Sequence, residues 1–232
     1  MLTRILFADM SIGEKLIFAI IWMAVVLISL TVHEYAHGFT AYKLGDYTAK
    51  ADGRLSLNPL RHIEPVGLLL LLFLGVGYAK PVPVMTRNFK KPRRDLALVS
   101  AAGPLSNFVL AFLCAMFYAI VCVFAPESLF ETTAGVALVN FFYYAVLINV
   151  GLGLFNLIPI PPLDGSNILI CLLPGHIAAK YAKLRYYSRY LFLVLVAATW
   201  IPALSSIIFY PIDALRSVIT TGFTGFWFMI FG

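Results

Sequence analysis

The sequence predicts an all-α polytopic membrane protein with five to six transmembrane helices, a re-entrant element and a short strand beside them. Three observations carry this. Of 232 residues, 61% are hydrophobic and 12% charged, with a mean hydropathy of +0.91. A soluble domain carries about 25% charged residues, roughly twice as many. Uncharged runs such as "LIFAIIWMAVVLISL" (16–30) recur along the chain, as membrane spans require. Finally, most Lys and Arg fall in the connecting stretches 43–61, 80–94 and 180–189. The net charge of +6 is therefore distributed as the positive-inside rule expects, which argues against a nucleic-acid partner.

The first segment, 15–43, can cross ~30 Å of hydrocarbon at ~1.5 Å per residue. It carries no small-residue cleavage site, so it reads as a retained helix and not as a signal peptide. The following polar stretch contains "GRLSLNP" (53–59), whose alternation predicts a short strand. "GLLLLLFLGVG" (67–77) is too short to span alone, since a crossing takes ~17–25 residues. Pro65 and "AKPVPV" bound it, so it is expected to re-enter. The third and fourth segments cover 96–124 and 134–158, joined by "APESLFETT", which holds two Glu and no basic residue. A fifth covers 189–210, broken by Pro202, and a tail at 216–231 completes the upper count.

These segments make a single integral membrane domain over 1–232, with its core motifs at 31–170 and accessory helices at about 189–231. "KPVPVMTRNFKKPRRD" holds six Lys/Arg, which places it and the neighbouring helix ends on the cytoplasmic side of a cell membrane. Cys114, Cys122 and Cys171 form no C-x-x-C pair and read as helix-packing residues.

The chemistry concentrates in "TVHEYAHG" (31–38). On a helix, His33 and His37 lie four apart on one face, with Glu34 beside the first. This is the H-E-x-x-H arrangement of zinc peptidases, in which the glutamate acts as general base on the metal's water. Such groups in hydrocarbon cost several kcal/mol unless paired, coordinated or facing a cavity. A catalytic zinc takes a third protein ligand, and the candidates are Asp46, Asp52, His62, Glu64, Asp95, Asp164, His176 and Asp213. Depth favours Asp164, which closes "FNLIPIPPLDG" where Pro159, Pro161 and Pro162 break the fourth segment. Asp46 and Asp52 read as solvated turn residues and His176 as a loop residue; His62 and Glu64, with Arg61, form either a polar edge to the site or, as the favoured reading, surface salt bridges.

"TVHEYAH", "AAGPLSN" and "NLIPIPPLDG", in that order, resemble the site-2 protease family of intramembrane zinc metalloproteases. "NPLRHIEPVG" and "GYAKPVPV" are similar to its compact bacterial branch without PDZ or CBS domains. The departures are Glu64 where the branch often has Asp, and Met85 where Asn is common. The resemblance implies one zinc ion per chain on His33, His37 and Asp164, with Glu34 as base. It implies that Asn156 contacts substrate backbone or the developing oxyanion. It further implies an edge strand through Tyr78, Ala79, Lys80, Pro81 and Val82 that holds an unwound substrate, giving short membrane-associated β-strands in all. Gly103 and Pro104 are expected to permit close helix approach, and Asn107 to be a helix-interface residue.

The function expected is hydrolysis of peptide bonds in or near transmembrane segments of membrane proteins or peptides, in a multi-pass protein of a bacterial inner membrane. The partners are then a transmembrane substrate and the lipid bilayer, with the oligomeric state open. The alternative is a metal-ion transporter or sensor using the same ligands without proteolysis. That reading makes no use of Glu34 and lacks carboxylates or histidines inside the third and fifth segments. An inactive scaffold is disfavoured by the intact quartet.

Overall fold

A computed structural model describes residues 11–65, 67, 80–198 and 201–232. The long helices start and stop where local chemistry directs. Helix α1 spans Ile12–Lys43 and opens on a capping box, in which the Glu14 N–H donates to Ser11 Oγ and the Ser11 N–H donates to Glu14 Oε2. Together these satisfy backbone donors that a helix start leaves without partners. Beyond its last turn, Gly45 takes φ +103°, a conformation open mainly to glycine. Helix α2, Pro92–Phe124, has proline at its first position, where the missing N–H costs nothing. Helix α3, Thr133–Asn156, is capped by Thr132 Oγ1, which accepts from the Gly135 N–H, and the prolines at 159, 161 and 162 prevent its continuation.

After this break come α4 (Asp164–Leu172), α5 (Gly175–Ala182), α6 (Ser188–Ala198) and α7 (Pro202–Phe231). Helix α2 packs against both α1 and α3, and α7 packs on α2 and α3. The core between α1, α2 and α3 gathers Ile21, Val25, Ala111, Ala115, Ala145, Val146 and Val150. Ala111, Ala115 and Ala119, four apart on α2, are fully buried, and small residues in such a row let membrane helices approach closely.

Among the described residues, four helices are long and apolar enough to cross a membrane: α1, α2, α3 and the Phe209–Phe231 part of α7. Of the expected five to six, four are found among these residues. The division near 210 does not occur, because α7 runs through Pro211 from a start at Pro202. Helix α6, with 11 residues, is only ~16 Å long at ~1.5 Å per residue. The expected re-entrant element 67–77 lies, apart from residue 67, outside the described residues, as do Tyr78 and Ala79.

No strand forms among the described residues. In the stretch 53–59 the chain bends instead, and Gly53 takes φ +63°. Residues 80–85 are irregular. The Arg54 guanidinium donates to the carbonyls of Arg61, Lys80 and Pro81, so these acceptors are satisfied by a side chain and not by a strand ladder.

Candidate metal centre

His33 and His37 lie on one face near the end of α1, and Asp164 is the first residue of α4. The chain break after α3 returns Asp164 to this end of the bundle, where it reaches both imidazoles. The two His Nε2 atoms are 3.0 Å apart, and each lies 3.1–3.2 Å from Asp164 Oδ2. Both histidines are buried.

The opposite ring nitrogens reveal the protonation pattern. His33 Nδ1 is 2.6 Å from Asn107 Oδ1, and His37 Nδ1 is 2.7 Å from the Val99 carbonyl. The Val99 carbonyl only accepts, so His37 carries its proton on Nδ1. The same holds for His33, whose partner is an amide oxygen. In neutral imidazoles both Nε2 atoms are then bare lone pairs aimed at one another and at a carboxylate. Such a cluster repels itself unless a metal ion or a proton sits between the lone pairs.

The spacing fits a metal ion. Zinc bonds of ~2.0–2.1 Å in a tetrahedron place neighbouring ligand atoms about 3.3–3.4 Å apart, close to the separations here. The three ligand atoms form a group that could hold a metal. Gly103 on α2 faces the group directly: a Cβ there would lie 2.4 Å from His37 Nε2 and 2.6 Å from His33 Nε2. Close approach at Gly103 is thus required by the imidazoles themselves.

Glu34 is half-buried beside this cluster, and its Oε2 accepts the Val82 N–H at 3.0 Å. Val82 belongs to a strap, residues 80–88, that crosses the end of α1. A Cβ at Gly38 would lie 3.2 Å from Val82 Cγ1, so this glycine makes room for the strap one turn beyond Glu34. The strap is anchored at one end by Arg54. At the other, Asp46 Oδ2 accepts the Met85 N–H at 2.7 Å, and Oδ1 accepts from Asn88 Nδ2 and from the Thr48 N–H and hydroxyl. Burial pushes the Asp46 carboxyl up, but these hydrogen bonds outweigh it and hold it below the usual carboxylate range.

Several expectations change accordingly. Asp46 is fully buried and is no solvated turn residue, because the strap returns to cover it. Asp52 is exposed, as expected of its turn. His62 is also buried, and its Nε2 pairs with the Ser56 carbonyl at 2.7 Å. Arg61 donates to the Gly53 carbonyl, so the expected surface salt bridge is replaced by loop-closing hydrogen bonds. Asn156 Nδ2 donates to the Leu152 carbonyl of its own helix at 3.0 Å. Asn107 is an interface residue, but it also touches His33. Its one readable signal was an amide within an apolar span.

The model of peptidase family M50 matches residues 21–197. The protein named "Putative zinc metalloprotease YwhC" of Bacillus subtilis is 42% identical over 186 residues, covering 80% of this chain and 82% of that protein. "Putative zinc metalloprotease Rip2" of Mycolicibacterium smegmatis is 32% identical over 148 residues, 62% of this chain and 53% of its own length. A Methanocaldococcus jannaschii protein, "Putative zinc metalloprotease MJ0611", is 28% identical over 141 residues, 59% of this chain and 62% of its own. No solved structure gives a significant match. A match over most of its length, on a helical bundle that brings two histidines and an aspartate together, places this chain in peptidase family M50, the site-2 protease family.

Proposed function

We propose that this chain is an intramembrane zinc metalloendopeptidase that cuts peptide bonds in or near transmembrane segments of membrane proteins or peptides. His33, His37 and Asp164 hold one zinc ion per chain, and Glu34 is the general base. One observation carries the reading: three lone pairs converge at tetrahedral spacing, with both far ring nitrogens held by acceptors. A metal ion there would meet all three lone pairs at once, and the Glu34 carboxylate stands beside them.

When bound, zinc acidifies a water and polarises the scissile carbonyl. The chain's own groups do the rest. The Val82 N–H occupies Glu34 Oε2, which leaves Oε1 to take the proton of the attacking water and pass it to the departing amine. The apolar walls of α1, α2 and α3 exclude bulk water from this exchange. The family resemblance assigns Tyr78, Ala79, Lys80, Pro81 and Val82 to holding an unwound substrate, which a helical segment must become before its peptide bonds can be attacked. Asn156 serves the substrate backbone or the developing oxyanion.

The basic residues of 80–94 support a site facing the cytoplasm in a bacterial inner membrane. Residues 1–232 act as one domain, with the C-terminal helices as accessories.

The test is Glu34→Gln in purified protein. It is expected to keep one zinc per chain while losing cleavage of a membrane-embedded peptide in liposomes. Cleavage by this variant removes Glu34 as base. Zinc flux across liposomes by a wild-type protein that cleaves nothing would instead establish transport.

A further inference from the structure

The metal-facing nitrogen of His33 is selected from two helices away. We propose that Asn149 on α3 is a positioning residue that, through Asn107, fixes His33 with its proton on Nδ1 and a bare Nε2. This rests on the zinc site proposed above.

The chain of contacts is closed. Asn149 Nδ2 lies 2.8 Å from the Ala145 carbonyl and 2.8 Å from Ser29 Oγ, and Ser29 Oγ lies 2.7 Å from the Val25 carbonyl. Asn107 Nδ2 lies 2.8 Å from Asn149 Oδ1 and 3.3 Å from the Ser29 carbonyl. Asn107 Oδ1 then faces His33 Nδ1 at 2.6 Å. Ser29, Asn107 and Asn149 are all buried, at 1%, 0% and 1% exposure, so no solvent can substitute for a missing partner.

The direction of this chain is forced by groups with no choice of polarity. Backbone carbonyls only accept. The Ala145 carbonyl requires the NH₂ end of Asn149, which turns Asn149 Oδ1 toward Asn107. That oxygen and the Ser29 carbonyl both require the NH₂ end of Asn107. Only the oxygen of Asn107 is left for His33, so His33 must donate from Nδ1. A flipped Asn107 would set its oxygen against two acceptors and offer an N–H to His33 Nδ1. The imidazole would then carry its proton on Nε2, where the metal binds. Partners behind a metal-binding histidine typically contribute about 10–100-fold to metal affinity, and here the contribution is relayed through a second amide.

The same geometry assigns Ser29 a lesser part. Without its hydroxyl, the Ala145 carbonyl still orients Asn149.

The experiment titrates zinc alone into purified protein against a competing chelator. Asn149→Leu removes the nearer of the two acceptors that orient Asn107 and leaves the Ser29 carbonyl at 3.3 Å. It is therefore expected to weaken zinc binding about tenfold, the lower end of the usual range, while Ser29→Ala stays within about threefold. In an Asn107→Asp background one carboxylate oxygen accepts from His33 whichever way the group turns, while the other meets the acceptors Asn149 Oδ1 and the Ser29 carbonyl. Asn149→Leu there relieves one of these contacts and is expected to cost less than about threefold. A structural role for Asn149 would weaken zinc equally in both backgrounds, and that result overturns the proposal. So does unchanged affinity in Asn149→Leu alone. If Asn149→Leu fails to fold, Asn149→Ser replaces it in both backgrounds under the same criteria. A wild-type protein that binds no zinc refutes the metal site itself, a different outcome from wild-type binding that Asn149→Leu leaves intact.

Discussion

The metal end of the three-helix core and the C-terminal helix α7 are equally helical and similarly apolar, yet they are held by opposite kinds of contact. At the metal end, a missing Cβ at Gly103, buried amides and a half-buried carboxylate hold the histidines and Glu34. Helix α7 meets the bundle through rings: Phe112 lies 5.2 Å from Phe223 and 5.0 Å from Trp227 between centroids, and Tyr118 lies 5.9 Å from Phe228. Only 6% of the α7 span is buried, against 33% of α1 and 28% of α2 and α3. The ring pairs between α7 and α2 take interplanar angles from 39° to 84°, so no single ring geometry sets the helix. The contrast teaches that the ligand atoms converge where the fit between helices is tight, and that α7 docks as a wall.

The sharpest way to break the comparison is Gly103→Ala. Its methyl would lie at 2.4–2.6 Å from both Nε2 atoms, inside any van der Waals contact. Overpacking of a tight core typically costs about 1–3 kcal/mol. The cost falls here on the ligand atoms, so zinc affinity is expected to drop about 10- to 100-fold, read by chelator competition. An equal substitution at Gly222 on α7, where an added Cβ meets nothing within 4 Å, is expected to leave zinc binding unchanged.

A smaller effect is expected at the strap. Asp46→Asn removes the charge that holds the Met85 N–H and the Thr48 and Asn88 side chains, and so loosens Val82 over Glu34. Cleavage is expected to fall about tenfold with zinc content unchanged, since hydrogen bonds to a charged group contribute about 1.5–3 kcal/mol. The pH dependence has a defined sign. The folded Asp46 carboxyl lies below its ordinary value, so its stabilisation is complete above the unfolded value, about 3.9. It is lost as the pH falls through the lower folded value. The difference in unfolding midpoint between wild type and Asp46→Asn should be flat from pH 7 to 5 and shrink below about pH 4. A difference that grows on acidification would show that the strap is held by something else.

What the sequence made legible follows the same division. His33, Glu34 and His37 are one turn of one helix, so periodicity alone put them on a common face. Asp164 was reachable because three prolines force the chain to stop and return. Asn107 and Asn149 were not, since an amide in an apolar helix looks the same whether it faces a partner helix or the ring of a ligand. Asp46 misled because "LGD" is a local turn pattern, whereas its burial comes from a strap 39 residues onward. "GRLSLNP" alternates like a strand, but alternation does not say that a partner ladder exists, and Arg54 supplies the donors instead. Nor could the sequence distinguish Pro202, which starts a helix, from Pro211, which lies inside one.

The smallest expected effect sharpens the comparison from the other side. Trp227 Nε1–H donates to the Phe112 carbonyl at 3.1 Å, a polar contact tying α7 to α2. Trp227→Phe keeps an aromatic ring against Phe112 and Phe231 but removes this donor. Phe112 lies in the middle of α2, so its carbonyl keeps its helical bond and no buried group is left without a partner. Interhelical hydrogen bonds within membranes average about 0.6 kcal/mol, and a loss of that size in detergent unfolding is expected, with zinc affinity and cleavage unchanged within about twofold. The relevant chain of contact runs from Trp227 through Phe112 to Gly103, nine residues and two and a half turns along α2. If so conservative a change at the lipid wall lowered zinc affinity, α2 would be transmitting a shift from its ring face to its glycine face. The two regions would then be one clamp, and the softness of the α7 contact would itself be part of the site.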